Sequence, residues 1–400
     1  MPSVCFYFQV HQPYRLRPYG MFDIGRRRDY FDAPLDEAVM RKVADKCYRP
    51  MNALVEELVA RTDGRFRAAY SITGTALEQM ERWAPDVIAS FRRLAQSGSI
   101  ELLAETYHHS LSFLASRDEF EEQVQLHSAK IEQLFGVRTR VFRNTELIFS
   151  NAVARRVRDL GFAGVLAEGA DRVLGWRSPH FLYSAKGTPD LPVLLKSYRL
   201  SDDIAFRFGN RGWEGWPLTP EKFASWLQRV NGCGETINLF MDYETFGEHQ
   251  WAETGIFDFM RKLPEAIFAH RDMKFATPSE VIAEFAPRAE LDVHEFVSWA
   301  DTERDLTAWL GNAMQGSALS SLYALREQVL ACGDAQALED FRRLTTSDHF
   351  YYMCTKFFAD GDVHKYFSPY ESPYEAHIAF MNALSDLSLR VASRERRRAA

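Results

Sequence analysis

Short runs that are apolar almost from end to end recur at residues 4–10, 66–72, 100–104, 140–143, 163–167, 193–198, 236–241 and 274–276, and helical patterns separate most of them. A strand carries apolar side chains on both sides only when both of its faces are covered, which is the environment of a parallel sheet flanked by its own crossover helices. The chain is therefore expected to be α/β, with seven or eight strands that suit a closed or nearly closed barrel. A doubly wound open sheet fits the same alternation. Apolar residues at helical spacing predict helices over 35–61 and 76–98, the second stopping at Gln96-Ser97-Gly98. Beyond about residue 291 the strand signal fades, and 305–314, 318–332 and 335–344 read as helices. The expected division is a barrel over 1–290 and a helical region over 291–400 that closes over the cleft. The last segment is basic, with Arg394, Arg396, Arg397 and Arg398 around Glu395, and is expected to be a solvated, frayed end.

The informative positions are those where apolar runs turn polar. The first run ends at His11-Gln12-Pro13, the third at Glu105-Thr106-Tyr107-His108-His109, the fourth at Glu146 and the seventh at Asp242-Tyr243-Glu244. In a parallel barrel all these ends lie on one face, so His11, His108, Glu146 and Asp242 are brought within reach of one another. Two carboxylates from different strands are the minimum equipment for glycoside hydrolysis, one ionised and one protonated. A neighbouring acid such as Glu244 would raise Asp242 by like-charge repulsion. Taken singly, each position is equally well explained as a turn former or a helix cap.

Charge and composition narrow the function. With 48 Lys and Arg against 55 Asp and Glu, the net charge of −7 argues against a nucleic-acid binder. No apolar window approaches the length of a membrane span, and the opening run, with no basic region before it, reads as a strand rather than a signal peptide. The five cysteines are scattered, which fits a reducing compartment and a cytoplasmic location. Trp and Tyr number 8 and 16, enough to supply flat surfaces for sugar rings. Two of the tryptophans, Trp213 and Trp216, fall in a long irregular stretch, 201–220, that is a candidate substrate loop. No two of the 11 histidines stand three or four residues apart, so a metal-dependent polysaccharide deacetylase is disfavoured and no metal site is expected.

With these segments in view, the chain resembles glycoside hydrolase family 57, the family of α-amylase-like and 4-α-glucanotransferase enzymes. The resemblance runs through His11-Gln12-Pro13, Tyr107-His108-His109-Ser110-Leu111, Arg143-Asn144-Thr145-Glu146-Leu147, Met241-Asp242-Tyr243-Glu244-Thr245-Phe246-Gly247 and Thr346-Ser347-Asp348-His349-Phe350-Tyr351. Some members carry an acid where this chain has His108. The resemblance implies an incomplete (β/α)7 barrel followed by a C-terminal helical bundle, and a retaining reaction on α-linked glucans. It also implies that Glu146 is the nucleophile and Asp242 the general acid/base. Since that barrel has seven strands, one run, 193–198 or 274–276, is expected to lie outside it.

On this reading His11 contacts a sugar hydroxyl beside the nucleophile, with His108, His249, Asp348 and His349 as further substrate contacts. His109 is read as a packed neighbour. Glu244 supports the site or pairs with Arg143, and Trp213, Trp216 and Trp251 are candidate sugar platforms. The ordinary alternatives are a hydrogen-bonded strand-end histidine for His11, core tryptophans, and a helix cap at Asp348. The reaction needs no cofactor, and the substrate is an α-glucan or maltooligosaccharide, with hydrolysis, transglycosylation by a 4-α-glucanotransferase or branching enzyme, and silent glucan binding as the alternatives.

Overall fold

Strand β1 (Ser3–Val10) has all eight residues buried, the polar Ser3 and Gln9 included, as required of a strand covered on both faces. The computed structural model describes residues 2–356 and 368–399. Around β1 lie β2 (Ala68–Ile72), β3 (Ile100–Leu102) and β8 (Thr236–Asp242), in the order β3-β2-β1-β8, all parallel. A second sheet holds β4 (Val141–Arg143), β5 (Gly164–Glu168), β6 (Tyr183–Ala185), β7 (Thr188–Lys196) and the short β10 (Glu290–Leu291), in the order β10-β6-β7-β5-β4. Here β4, β5 and β7 are parallel, whereas β6 runs antiparallel to β7. Between the two expected outliers, run 193–198 is the end of β7, and run 274–276 is β9 (Lys274–Phe275), which leaves the sheet path and pairs with Ser3 and Val4 ahead of the point where β2 joins at Phe6.

The two sheets touch at both margins. A parallel bridge joins Ala104, just past β3, to Phe142 of β4. At the other margin Ser197 N–H donates to Asn238 O (2.8 Å) and the Asn238 amide donates to Leu195 O (2.8 Å). Alternation along the strands then sorts the side chains. Phe6 and Phe8 of β1 pack outward with the helices, while Cys5 and Tyr7 share an inner cluster with Ala69, Val141, Leu166, Leu194 and Phe240 from both sheets.

The helices depart from the sequence expectations where local chemistry outweighs periodicity. The segment 76–98 is broken at Ala84, because Pro85 cannot donate to the preceding turn; the pieces are Gly74–Trp83 and Pro85–Gln96. The segment 35–61 stays continuous but passes through a π-helical turn, Ala44–Tyr48, between Ala33–Val43 and Arg49–Arg61. The start of the expected loop 201–220 is helical, as part of Tyr198–Ala205. Near 305–314 only Thr307–Leu310 is helical before a new helix, Ala313–Ala324, opens on an Asn312/Gln315 capping box.

Helices Ala313–Ala324, Arg326–Cys332, Ala335–Leu344 and Pro373–Ala399 have a core of their own, into which Leu16, Tyr19, Tyr30, Leu111 and Ile148 reach from earlier segments. The basic tail expected to fray continues the last helix to Ala399, and Arg394 pairs with Asp334 (3.1 Å). No helix among the described residues is long and apolar enough to cross a membrane.

Candidate active site

Because the long strands are parallel, the segments that follow them emerge on one side. There His11 follows β1, Thr73 follows β2, Glu105 and His109 follow β3, Glu146 follows β4, and Lys196 and Asp242 end β7 and β8. Glu146 sits in a strained turn. Both Glu146 (φ 57°) and Leu147 (φ 51°) adopt left-handed backbone that non-glycine residues avoid. The turn is held by Leu147 N–H to Asn144 O (2.9 Å), Ile148 N–H to Thr145 O (2.9 Å) and the Asn144 amide to Ile148 O (2.9 Å).

The Glu146 carboxylate is surrounded by donors. His109 Nε2–H reaches Oε1 at 3.2 Å, Ser347 Oγ reaches the same oxygen at 3.4 Å, and the Trp299 indole N–H reaches Oε2 at 2.5 Å. Burial alone would raise its pKa, but the His109 bond and charge, Arg143 and Trp299 outweigh it and hold Glu146 below the ordinary carboxylate value. His109 donates at its other end to Glu105 (3.1 Å), which also accepts from Gln9 (3.1 Å). Held between two carboxylates, His109 overcomes the cost of burial and is raised to about 9, while Glu105, despite burial, is lowered to about 2. Arg143 is fully buried, 3.9 Å from Glu105 and 4.8 Å from the Trp299 ring.

Asp242 is built differently. Among the described residues no hydrogen bond reaches its carboxyl, and it is pushed up to about 6, first by burial and then by the Glu146 charge, against Arg143, Lys196 and His109. The repelling neighbour is thus Glu146 rather than Glu244. Glu244 does not pair with Arg143 as expected: it accepts from Tyr48 (2.5 Å) and is itself raised to about 8 by burial and by Asp242. The segment after Asp242 is fixed by the π-helical turn, where Cys47 Sγ donates to Tyr243 O (3.1 Å). Gly247 (φ 106°) is required there, since a Cβ would lie 1.9 Å from the Lys46 carbonyl oxygen.

The other expected site residues divide. His11 joins the site: its ring stacks on His109 (4.1 Å between centroids), Nε2–H donates to Asp348 (2.9 Å) and Nδ1 accepts from Thr73 (3.0 Å). Burial and the charge of His109 keep His11 low, and against the cost of burial Asp348 stays ionised beside it. His109, read from sequence as a packed neighbour, is the histidine between the carboxylates. His108 turns away, its ring against Tyr107 (4.9 Å) and 3.9 Å from Glu339. His349 also faces away, donating to Arg343 O (3.2 Å) among Phe31 and Phe380, and burial lowers it to about 4. Trp213 packs edge-on against Trp226 (6.0 Å) at the rim of the core. Trp216 and Trp251 are exposed on the loops that follow β7 and β8, and His249, two residues before Trp251 in the chain, is lowered by burial to about 4. Trp299, Arg143, Lys196, Glu105 and Ser347 were missing from the expected site. Glu105 had a sequence signal in ending the third apolar run, and Arg143 and Ser347 in falling within segments that carry the family resemblance. Among the described residues no group of three or more His, Cys, Asp or Glu is arranged to hold a metal ion.

Two neighbouring carboxyls, one held below its ordinary pKa and the other raised to about 6, can divide attack and protonation between them. Comparison with known proteins agrees in kind. The protein-family model described as Glycosyl hydrolase family 57 matches residues 5–294. The chain is 43% identical, over 96% of its length and 83% of the relative's, to the "Putative alpha-amylase" of Methanocaldococcus jannaschii. In fold it is similar to the 4-α-glucanotransferase of Thermococcus litoralis (TM-score 0.68, 15% identity), covering 87% of this chain and 56% of that one. It is likewise similar to a branching enzyme of Pyrococcus horikoshii (TM-score 0.64, 16% identity), covering 88% and 85% of the two chains.

Proposed function

The chain belongs to glycosyl hydrolase family 57, and from that premise we propose that it is a retaining glycosidase of α-linked glucans, with Glu146 as nucleophile and Asp242 as acid/base. The observation that carries this reading is the opposite electrostatic treatment of the two carboxyls. Glu146 is kept below its ordinary value by His109, Arg143 and Trp299, and Asp242 is raised to about 6. In the first displacement Glu146 attacks the anomeric carbon while Asp242 gives its proton to the leaving oxygen. In the second, Asp242 takes a proton from the incoming water or sugar hydroxyl as the glycosyl–enzyme bond breaks. The first step consumes the Glu146 charge that raises Asp242, so Asp242 becomes more acidic when it must act as a base.

The same reading joins the two sheets into an incomplete (β/α)7 barrel of β1, β2, β3, β4, β5, β7 and β8. The bridge Ala104–Phe142, the Ser197–Asn238 bond and the shared inner cluster support it. The helices after residue 291 form the bundle over its polar face, linked to it by the Asp348–His11 bond. Trp216 and Trp251 supply sugar platforms, and the five unpaired cysteines support a cytoplasmic protein.

Separate replacement of Glu146 and Asp242 by Ala, with reducing ends released from soluble starch as the readout, tests the assignment. Near-normal activity in either variant contradicts it. Incubation with maltooligosaccharides distinguishes the acceptors, because hydrolysis gives only shorter products and transfer also gives longer ones.

A further inference from the structure

We propose that Arg304 is a positioning residue for this reaction, pinning the loop 298–305 so that the Trp299 indole N–H meets the Glu146 carboxylate. The inference rests on the reading of Glu146 as nucleophile. It begins with how Trp299 arrives there. The strand of chain before it runs antiparallel beside the segment that follows Glu146: Asn151 N–H donates to Val293 O (2.8 Å), Phe149 and Val297 exchange two bonds (2.9 Å each), and Trp299 N–H donates to Glu146 O (3.1 Å). Trp299 is thus tied to the strained Glu146 residue through both backbone and side chain, and both Trp299 and Arg304 lie beyond the residues that the family model matches.

Past Trp299 the loop folds back on itself. Ser298 N–H donates to Arg304 O (3.1 Å) and Ser298 Oγ to Asp305 O (2.5 Å). Asp301 (φ 54°) and Arg304 (φ 51°) both adopt left-handed backbone, so the loop is not in a shape its residues prefer and must be held by contacts. Those contacts converge on Arg304. Its guanidinium donates to the buried Glu168 at 3.2 Å, lies 3.6 Å from Asp202 and stacks 3.9 Å over the Tyr198 ring, all on the β5 and β7 side of the site. Lys196 shares the same two acids, at 3.9 Å and 3.4 Å, and places its ammonium 5.2 Å from the Trp299 ring. One ion cluster therefore grips the far end of the loop and touches the indole at its near end. Arg172 donates to Phe296 O (2.9 Å) and Arg304 O (3.1 Å), and Lys356 holds Glu303 (2.9 Å), which steadies the flanks.

Arg304 touches neither carboxylate of the reaction, so its effect must pass through Trp299. The groups that face Glu146 are His109 after β3, Arg143 on β4, Asp242 on β8, Ser347 from the helical region and Trp299 itself. Only the last belongs to the pinned loop. The test compares Arg304→Met, Arg304→Lys, Trp299→Phe and the double variant Arg304→Met/Trp299→Phe. Arg304→Met is expected to lower kcat about tenfold to hundredfold with little change in KM, since displacement of a reacting group by about an ångström costs that much. It is also expected to move the acid limb of the kcat profile to higher pH, as Glu146 loses a donor, and Arg304→Lys to restore most of both. In the Trp299→Phe background Arg304→Met should add nothing further. A wild-type limb in Arg304→Met, or full additivity in the double variant, would overturn the proposal. Hydrogen exchange over 298–305, measured without substrate, separates the pin from the chemistry. Faster exchange there in Arg304→Met supports the pin, and unchanged exchange overturns it, whether or not the wild-type chain cleaves α-glucans.

Discussion

The ends of β4 and β8 place the same kind of side chain on the same face and treat it in opposite ways. At the β4 end the backbone is strained, and the Glu146 carboxylate is met by His109, Ser347 and Trp299. At the β8 end the backbone is relaxed, Asp242 (φ −66°) accepts no hydrogen bond among the described residues, and burial beside a second negative charge decides its state. Donors stabilise a charge, and burial without them raises a carboxyl's pKa. The difference teaches that two carboxyls of one chemical type can be tuned apart by what the fold directs at them.

The largest effect that would break this comparison is chemical. Glu146→Gln is expected to reduce turnover on every substrate by on the order of 10⁴-fold or more. Asp242→Asn should do so only for substrates whose leaving group needs a proton, by about 10²–10⁴-fold. Rates on starch and on an aryl α-glucoside with a good leaving group check the pair; equal losses on both substrates for Asp242→Asn would erase the distinction between the two ends.

The pH profile sharpens it. With the proposed roles, activity is expected to be lost as pH falls through the lowered pKa of Glu146 and lost again as pH rises past about 6, where Asp242 gives up its proton. Glu105→Gln removes one of the two charges that hold His109 at about 9. Its pKa falls, Glu146 loses an imidazolium, and the acid limb of kcat/KM should move up by roughly one pH unit. An unmoved limb would mean that the Glu105–His109–Glu146 relay does not set the charge.

Glu105 also carries a stability signature. Its folded pKa of about 2 lies below the ordinary 4.5, so its stabilisation is present above about 4.5 and lost as pH falls toward 2. Thermal melts should show the decline of Tm across that window becoming shallower in Glu105→Gln than in the wild type. The smallest effects belong to the periphery. Trp216→Ala and Trp251→Ala, on exposed side chains, should each raise KM for long glucans by about twofold to tenfold with kcat preserved. A matching loss in kcat would place these residues closer to the chemistry than their exposure implies.

What the sequence made legible were features that follow from periodicity and its interruption. Apolar runs gave the strands, and their polar ends gave His11, Glu146 and Asp242. What it hid depends on tertiary contacts. Trp299 lies in an irregular stretch with no pattern, and reaches Glu146 because 293–299 pairs beside 146–151. His108 and His109 are neighbours of one type, and only the left-handed turn at His109 (φ 52°) decides which ring enters the site. Arg143 was legible as part of its segment, but its neighbours, Glu105 and Trp299, are set only when both sheets enclose it. The break at Pro85 was visible in the letters, but the apolar period runs through it.

The central claim is that burial and the neighbouring Glu146 charge together let Asp242 keep its proton up to about pH 6. Infrared difference spectra of wild type against Asp242→Asn, recorded across pH 4 to 8, would follow that proton directly and without substrate. The account predicts a protonated carboxyl lost with a midpoint near 6 in the wild type, and a midpoint displaced toward 3.8 when Glu146→Gln removes the neighbouring charge. A wild-type midpoint already near 3.8, or one that Glu146→Gln leaves in place, would contradict it.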